Sequence, residues 1–259
     1  MYLVLTALLA LNVSSAILEK FIFLNESMEY SVAEGGKRNQ GALDRIKKAV
    51  EDSKRAQDMP VLKNAEQVRQ MSAGMIKEID EIKEELIKRS GGRDEKTGHF
   101  KSADNQDATA IYLIGGKKNG KAYEMKDKLN TFASELSKYN DTKFNPLALD
   151  GSEDPLTKNI PEQRRKDFAE LNFAETPMVA ALAVLSQKQS EVRRMESQAL
   201  ENLASKVGAG TLKFDKIFAT ANAESKVVAA GTKYHAQMYI AASSSGITPT
   251  MKFNGANIG

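Results

Sequence analysis

The chain opens with an apolar run and then changes character. Its first eighteen residues are MYLVLTALLALNVSSAIL, and charged residues are frequent from Glu19 onward. A run of this length approaches the roughly 20 residues that a helix needs to cross a ~30 Å hydrocarbon core. We therefore predict a transmembrane helix over residues 1–18. No Lys or Arg precedes the run, so we expect this helix to be truncated at its N-terminus.

A cleaved signal peptide is the alternative interpretation of the same run. Ser14 and Ala16 are small residues with an acceptable spacing for a cleavage site. Four polar residues favour a retained anchor, because polar groups inside lipid need partners on neighbouring helices. These four residues are Thr6, Asn12, Ser14 and Ser15.

The stretch 62–86 has apolar residues about every 3.5 positions, which predicts a long amphipathic helix. Pro60 is placed to begin it, and Gly91–Gly92 to end it. A second helix over 40–57, joined to it by a short break, predicts an antiparallel helical hairpin. The predicted seam is Val68, Ser72 as its weak member, Met75, Ile79, Ile82 and Leu86, and the charged residues between them, Lys83 included, are assigned to the other faces.

Two further helices follow the same spacing. One covers 121–139, and the other runs from 178 to 207, with Thr176 predicted as its N-cap and Pro177 as its first residue. A short helix carrying Phe168, Leu171 and Phe173 precedes the latter and is expected to pack against it. The residues that predict the buried face of the last helix are Leu182, Leu185, Val192, Met195, Ala199 and Leu203.

After Gly210 the spacing of apolar residues changes from about 3.5 positions to two. Apolar residues alternate over 234–240, which predicts a half-buried strand, and Met251 and Phe253 alternate before the hairpin signal Asn254–Gly255. Two or three strands do not make a stable domain, so we expect the chain to stop inside a second, β-rich domain. The predicted fold is mainly α, and its divisions are a transmembrane helix at 1–18, a helical bundle at 19–210 and the first strands of a β domain at 211–259.

Composition narrows the possible chemistry. Lys and Arg number 37 against 34 Asp and Glu, a net charge of +3, and the two signs interleave, which does not indicate a nucleic-acid footprint. Cysteine is absent, which excludes disulfides and thiolate metal sites. His99 and His235 are far apart in the chain and are interpreted as surface or strand residues. We expect no catalytic residue, no metal site and no cofactor.

One motif has the outline of a phosphate-binding loop. Residues 115–122 read GGKKNGKA, which has the G-x4-G-K skeleton, but Ala122 stands where such a loop needs Ser or Thr to hold magnesium. The surrounding pattern is helical and has no alternating strands and helices. A solvated turn is favoured over a nucleotide-dependent enzyme.

Three parts of the sequence resemble one family. They are the opening MYLVLTALLALNVS, the pair Phe173 and Pro177, and the stretch 180–196, which reads AALAVLSQKQSEVRRME. Together they resemble the GldM/PorM family of the type IX secretion system and gliding motility machinery. The opening segment is the most specific of the three.

The resemblance implies a single-pass inner-membrane protein whose bulk lies in the periplasm as a helical domain followed by β domains. It implies a homodimer whose transmembrane helices sit in a ring of the multi-spanning GldL/PorL protein and form a motor driven by the proton-motive force. Absent distal domains would reach an outer ring of GldK/PorK and GldN/PorN. The family's upstream arginine, thought to pair with a membrane carboxylate of the partner, is absent from these residues.

The leading hypothesis is therefore a non-enzymatic motor component that transmits mechanical energy across the periplasm. The alternative is an exported periplasmic helical binding or scaffold protein whose signal peptide has been removed. The resemblance assigns Tyr2 and Asn12 to helix contacts in the membrane. The residues expected to contact a membrane partner are Tyr2, Thr6, Asn12 and Ser15.

Overall fold

The computed structural model describes residues 15–207 and, beyond them, 216–223, 227, 231, 233, 235–243, 251–253 and 256–258. The chain divides into two compact units, Met1–Val207 and Gly208–Gly259. The first is helical and the second carries the strands, and each is described by itself.

Three long helices build the first unit: α1 (Ser15–Ser53), α2 (Met59–Arg89) and α7 (Met178–Lys206). α7 packs along both α1 and α2. Contacts of Lys83 with Glu29 and of Arg69 with Gln40 show that α1 and α2 are antiparallel, as the hairpin prediction required. The shorter helices are α3 (Gln106–Thr109), α4 (Lys121–Leu136), α5 (Pro161–Arg164) and α6 (Phe168–Phe173), with a π-helical turn at Ala110–Ile114 and 3-10 turns at Ala56–Asp58 and Ser137–Tyr139.

The core confirms the spacing of apolar residues in the predicted helices. Every member of the α2 seam is buried, including Ser72, and so is every residue named for the buried face of α7. α4 contributes Met125, Leu129 and Phe132, and α6 contributes Phe168 and Phe173, whose rings meet edge to face with centroids 6.2 Å apart. Burial of these apolar side chains stabilises the bundle.

Helix ends follow the predicted signals in α2 but not in α7. Pro60 lies in the first turn of α2, and Gly92, at φ +77°, donates its N–H to the carbonyl of Ile87 after the helix ends. The N-cap prediction for Thr176 is wrong, because α7 begins at Met178 and Pro177 holds the N-cap position. The Thr176 hydroxyl instead donates to the carbonyls of Asn172 and Ala174, which closes the turn after α6.

α1 is longer than predicted. The expected helix at 40–57 is the C-terminal part of one 39-residue helix that begins at Ser15. Residues 1–14 of the predicted transmembrane segment lie outside the described residues. Among the residues that the structure does describe, no helix is long and apolar enough to span a membrane. The mainly helical fold class is thus confirmed, and the transmembrane helix stays a prediction.

The second unit contains two antiparallel pairs of strands. β1 (Lys216–Ala223) pairs with β2 (Ala236–Ser243), with Lys216 opposite Ser243, and β3 (Met251–Phe253) pairs with β4 (Ala256–Ile258). The strands expected near 234–240 and at Met251–Phe253 are confirmed, whereas β1 was not predicted. Met238, Tyr239 and Ile240 are all exposed, so the prediction of a half-buried strand is wrong within the described residues.

Candidate functional site

Polar side chains occupy part of the interface between α1, α2 and α7 in two groups. Such groups are unusual inside a bundle, because a buried charge is costly unless it is paired. The Lys83 cluster consists of Asn25, Glu29, Asp80, Lys83, Ser186 and Gln189. The Glu196 cluster consists of Asn39, Gln40, Arg69, Arg193 and Glu196.

Lys83 is the centre of the first cluster. It is only 5% exposed, and its ammonium lies 2.5 Å from Glu29 Oε1 and 2.8 Å from Ser186 Oγ. The assignment of Lys83 to a solvated face was therefore wrong. A lysine can lay its aliphatic stem along an apolar seam while its charged end meets a carboxylate.

Hydrogen bonds extend this cluster to all three long helices. The Ser186 hydroxyl donates to Asn25 Oδ1 at 2.7 Å, and Asn25 Nδ2 donates to Glu29. Gln189 Nε2 donates to Asp80 Oδ1 at 2.6 Å and to the backbone carbonyl of Ile76. α1, α2 and α7 are thus tied together at one level.

Glu196 is the centre of the second cluster and is completely buried. Its carboxylate accepts from Arg69 Nη1 at 2.6 Å, Asn39 Nδ2 at 2.8 Å and Arg193 Nη1 at 3.0 Å. Arg69 also reaches Gln40 on α1. Charge-assisted hydrogen bonds of this kind are stronger than neutral ones.

Two glycines let α1 approach α7 beside the Glu196 cluster. A Cβ on Gly35 would lie 3.3 Å from Arg193 Cβ, and one on Gly36 would lie 3.2 Å from Arg193 Nη2. Larger residues would hold α1 away from Arg193. Gly35–Gly36 therefore serves the packing of α7 on α1 and does not break the helix.

The two clusters hold the bundle at two separate levels. Asn25 and Asn39 are two heptads apart on α1, and so are Lys83 and Arg69 on α2, which is about 21 Å of helix. Sliding one helix past another would separate buried charges from their partners, and breaking one such pair costs about 3–5 kcal/mol. The arrangement fixes the register of the three helices.

The glycine-lysine turn at 115–121 is folded against its neighbours. Gly115 has φ +74°, and Gly120 donates its N–H to the carbonyl of Ile114. Lys118 Nζ lies 2.9 Å from Glu170 and 3.2 Å from Asp167, and these hydrogen bonds raise the pKa of Lys118. This lysine already pairs with two carboxylates of α6 and its N-cap.

Contacts of the same kind shift the pKa values of two nearby ionisable groups. Partial burial and a hydrogen bond to Asp167 raise the pKa of Tyr123 to about 12. Hydrogen bonds from Lys121 and Lys128 lower the pKa of Glu124 to about 2. The contacts of Glu124 are surface ion pairs, whereas Tyr123 donates a hydrogen bond as a neutral phenol.

The residues predicted to contact a membrane partner are not brought together by the described structure. Tyr2, Thr6 and Asn12 lie outside the described residues, and Ser15 is the exposed first residue of α1. Within the described part of the chain, no group of three or more His, Asp or Glu side chains is placed to hold a metal ion. The sequence analysis did not predict the polar clusters, because the spacing of their charged residues along each helix is also the spacing of a solvated face.

The chain thus consists of a helical bundle, whose long helices are joined by buried polar contacts, and a second unit of antiparallel strands. The family model of the GldM N-terminal domain matches residues 16–206, and that of the GldM second domain matches residues 208–259. The chain belongs to the GldM family, which confirms the resemblance. It is thereby identified as a component of gliding motility and type IX secretion. A comparison with curated proteins gave no match.

Proposed function

We propose that this chain is the force-transmitting part of an inner-membrane motor that is driven by the proton-motive force. It acts without enzymatic activity and passes mechanical energy across the periplasm to the type IX secretion and gliding machinery. Family membership supports a role of the chain in this machinery. The fixed register of the long helices supports the mechanical nature of that role.

The two buried clusters carry the mechanical part of the proposal. A component that transmits force must not let its helices slip. α1 spans about 58 Å as a helix of 39 residues. α1 is joined to α2 by the ion pair of Glu29 with the buried Lys83, and to α7 by the hydrogen bond of Asn39 with the buried Glu196. Water and salt screen buried charges less than exposed ones. These contacts give the bundle resistance to sliding along its axis.

An exposed apolar stripe on α1 supports a homodimer. Phe23 and Tyr30 are 70% and 71% exposed, and Ile17 and Leu24 are 50% and 42% exposed. Each pair is one heptad apart, the spacing by which helices pack side by side. We propose that two copies associate along this stripe, with residues 1–18 anchoring both in the membrane.

The proposed partners are a ring of multi-spanning GldL/PorL-type protein in the membrane and, through distal domains, GldK/PorK-type and GldN/PorN-type proteins. Tyr2, Thr6, Asn12 and Ser15 are the proposed contacts with the membrane partner.

Purification from native cells in mild detergent tests this proposal. We expect a small multi-spanning membrane protein that carries a glutamate in the membrane to co-purify with the chain. Asn12→Leu should reduce its recovery, because a polar contact between helices is lost. Val13→Leu, an apolar exchange at the neighbouring position, is the matched control and should leave recovery unchanged.

The alternative predicts a different result in the same experiment. If the chain is recovered alone and its mature N-terminus is Ile17, then it is an exported protein with a cleaved signal peptide. That result would contradict both the anchor and the motor.

A further inference from the structure

A shallow apolar depression lies between α2 and α4, on a part of the bundle that the two clusters do not use. Its volume is about 310 Å³. Met71, Met75 and Phe132 supply its apolar side chains. Methionine side chains adapt to the shape of a partner, and for this reason they are common on binding surfaces. The polar residues that complete the lining are Glu78, Asp127, Lys128, Thr131 and Glu135.

The rim of this depression has uncompensated negative charge. Lys128 is already paired, since its ammonium lies 2.5 Å from Glu78 and 2.9 Å from Glu124. Asp127 and Glu135 are exposed and form no ion pair with any residue that the structure describes. A cationic partner would complement these two carboxylates.

We propose that this depression docks a cationic amphipathic helix of another protein. Apolar side chains of that helix would rest on the half-buried Met71 and on the small exposed parts of Met75 and Phe132, each 6% exposed, as in other helix-in-groove complexes. Asp127 and Glu135 are eight positions apart on α4, about 12 Å along its axis. The docked helix would therefore present two Lys or Arg residues seven or eight positions apart on one face.

A model peptide tests this inference on the full chain. The probe is an amphipathic helix of leucine and lysine, and its matched control is the same peptide with glutamate in place of lysine. Methyl-labelled methionines report the location of binding by NMR, after assignment with Met71→Leu and Met75→Leu. We expect the lysine peptide to shift the signals of Met71 and Met75, which line the depression, and to leave those of Met178 and Met195, which do not line it, unchanged.

Charge reversal tests the role of the rim. Asp127→Lys with Glu135→Lys should weaken binding of the lysine peptide at least tenfold. Glu51→Lys with Asp52→Lys changes the net charge equally on an exposed part of α1, so it is the matched control and should change the affinity less than twofold.

Three results would overturn the inference. The first is equal methionine shifts with both peptides, and the second is equal weakening by both charge-reversal pairs. The third is a change in self-association of the chain, measured by sedimentation, when Asp127 and Glu135 are reversed. That result would make a second copy of this chain the occupant.

Discussion

At the scale of single residues, the strongest claim concerns Glu196. Its carboxylate is the common partner of Arg69, Arg193 and Asn39, and it is completely buried. Glu196→Gln keeps the shape of the side chain but leaves two guanidinium groups without their counter-charge. We expect the free energy of unfolding to fall by about 3 kcal/mol, as measured by urea denaturation followed by circular dichroism.

An exposed ion pair provides the control for Glu196. Glu34 lies 2.7 Å from Lys37, whose side chain is 76% exposed. Glu34→Gln should change the free energy of unfolding by less than about 0.5 kcal/mol, because exposed pairs contribute little. A similar small effect for Glu196→Gln would show that the buried cluster does not hold the helices together.

Tyr123 gives a prediction about pH. Partial burial and the hydrogen bond to Asp167 raise its pKa to about 12. Between about pH 10 and pH 12 the unfolded chain releases a proton that the folded chain retains. The contribution of this tyrosine is therefore fully present below about pH 10, and stability falls as the pH rises from there to about 12.

Tyrosinate absorbance at alkaline pH measures this shift directly. At about pH 11 the difference between the native chain and Tyr123→Phe should be small, because Tyr123 is still protonated. Asp167→Asn removes the neighbouring charge and should restore part of the tyrosinate signal at this position, since the partial burial that also raises the pKa remains. A full tyrosinate signal from Tyr123 with Asp167 intact would contradict the predicted shift.

At the scale of elements, the packing of α1 on α7 depends on Gly35. A leucine there would collide with Arg193, since even a Cβ would lie 3.3 Å from Arg193 Cβ. We expect Gly35→Leu to lower the free energy of unfolding by about 1–3 kcal/mol, the usual cost of overpacking. Thermal unfolding followed by circular dichroism is the measurement.

Gly74 offers the matched control for the same substitution. It also lies in a helix interior, but a Cβ there would have open space within 4 Å among the described atoms. Gly74→Leu should therefore stabilise the chain by up to about 1 kcal/mol through helix propensity. If both leucine variants shift stability in the same direction, close contact with Arg193 is not the reason for Gly35.

The helices illustrate how much of this fold could be predicted from sequence. Apolar spacing correctly predicted the buried seam of α2 and the buried residues named for α7, although residues 178–183 of α7 are buried on every side. The N-terminal half of α1 was not recognised as a helix, since Gly35–Gly36 resembles a break until Arg193 is seen beside it. β1 was missed because its residues KIFATANA do not alternate strictly between apolar and polar.

The polar clusters show that local sequence patterns do not predict contacts between distant helices. Lys83 and Glu196 are more than a hundred residues apart in the chain, and neither has a sequence neighbour that marks it as buried. Their partners come from three helices that meet only in the folded bundle. The two clusters were therefore not predicted, and the family resemblance indicated the machinery but not these contacts.

At the scale of the whole molecule, the exposed stripe of α1 predicts how two copies associate. Phe23→Glu with Tyr30→Glu places two charges on the proposed dimer contact, where burial would leave them unpaired. We expect the dissociation constant of the dimer, measured by sedimentation, to rise at least tenfold. Helicity should not change, because both side chains are about 70% exposed in the single chain.

A single glutamate placed elsewhere separates this effect from added charge. Leu156 is 83% exposed and lies outside the long helices, so Leu156→Glu should leave the dimer intact. If it dissociates the dimer as strongly, or if the α1 variant remains dimeric, the contact lies on another face. A lever of two copies needs a contact along its length, so loss of gliding and secretion with the α1 variant alone would tie the dimer to force transmission.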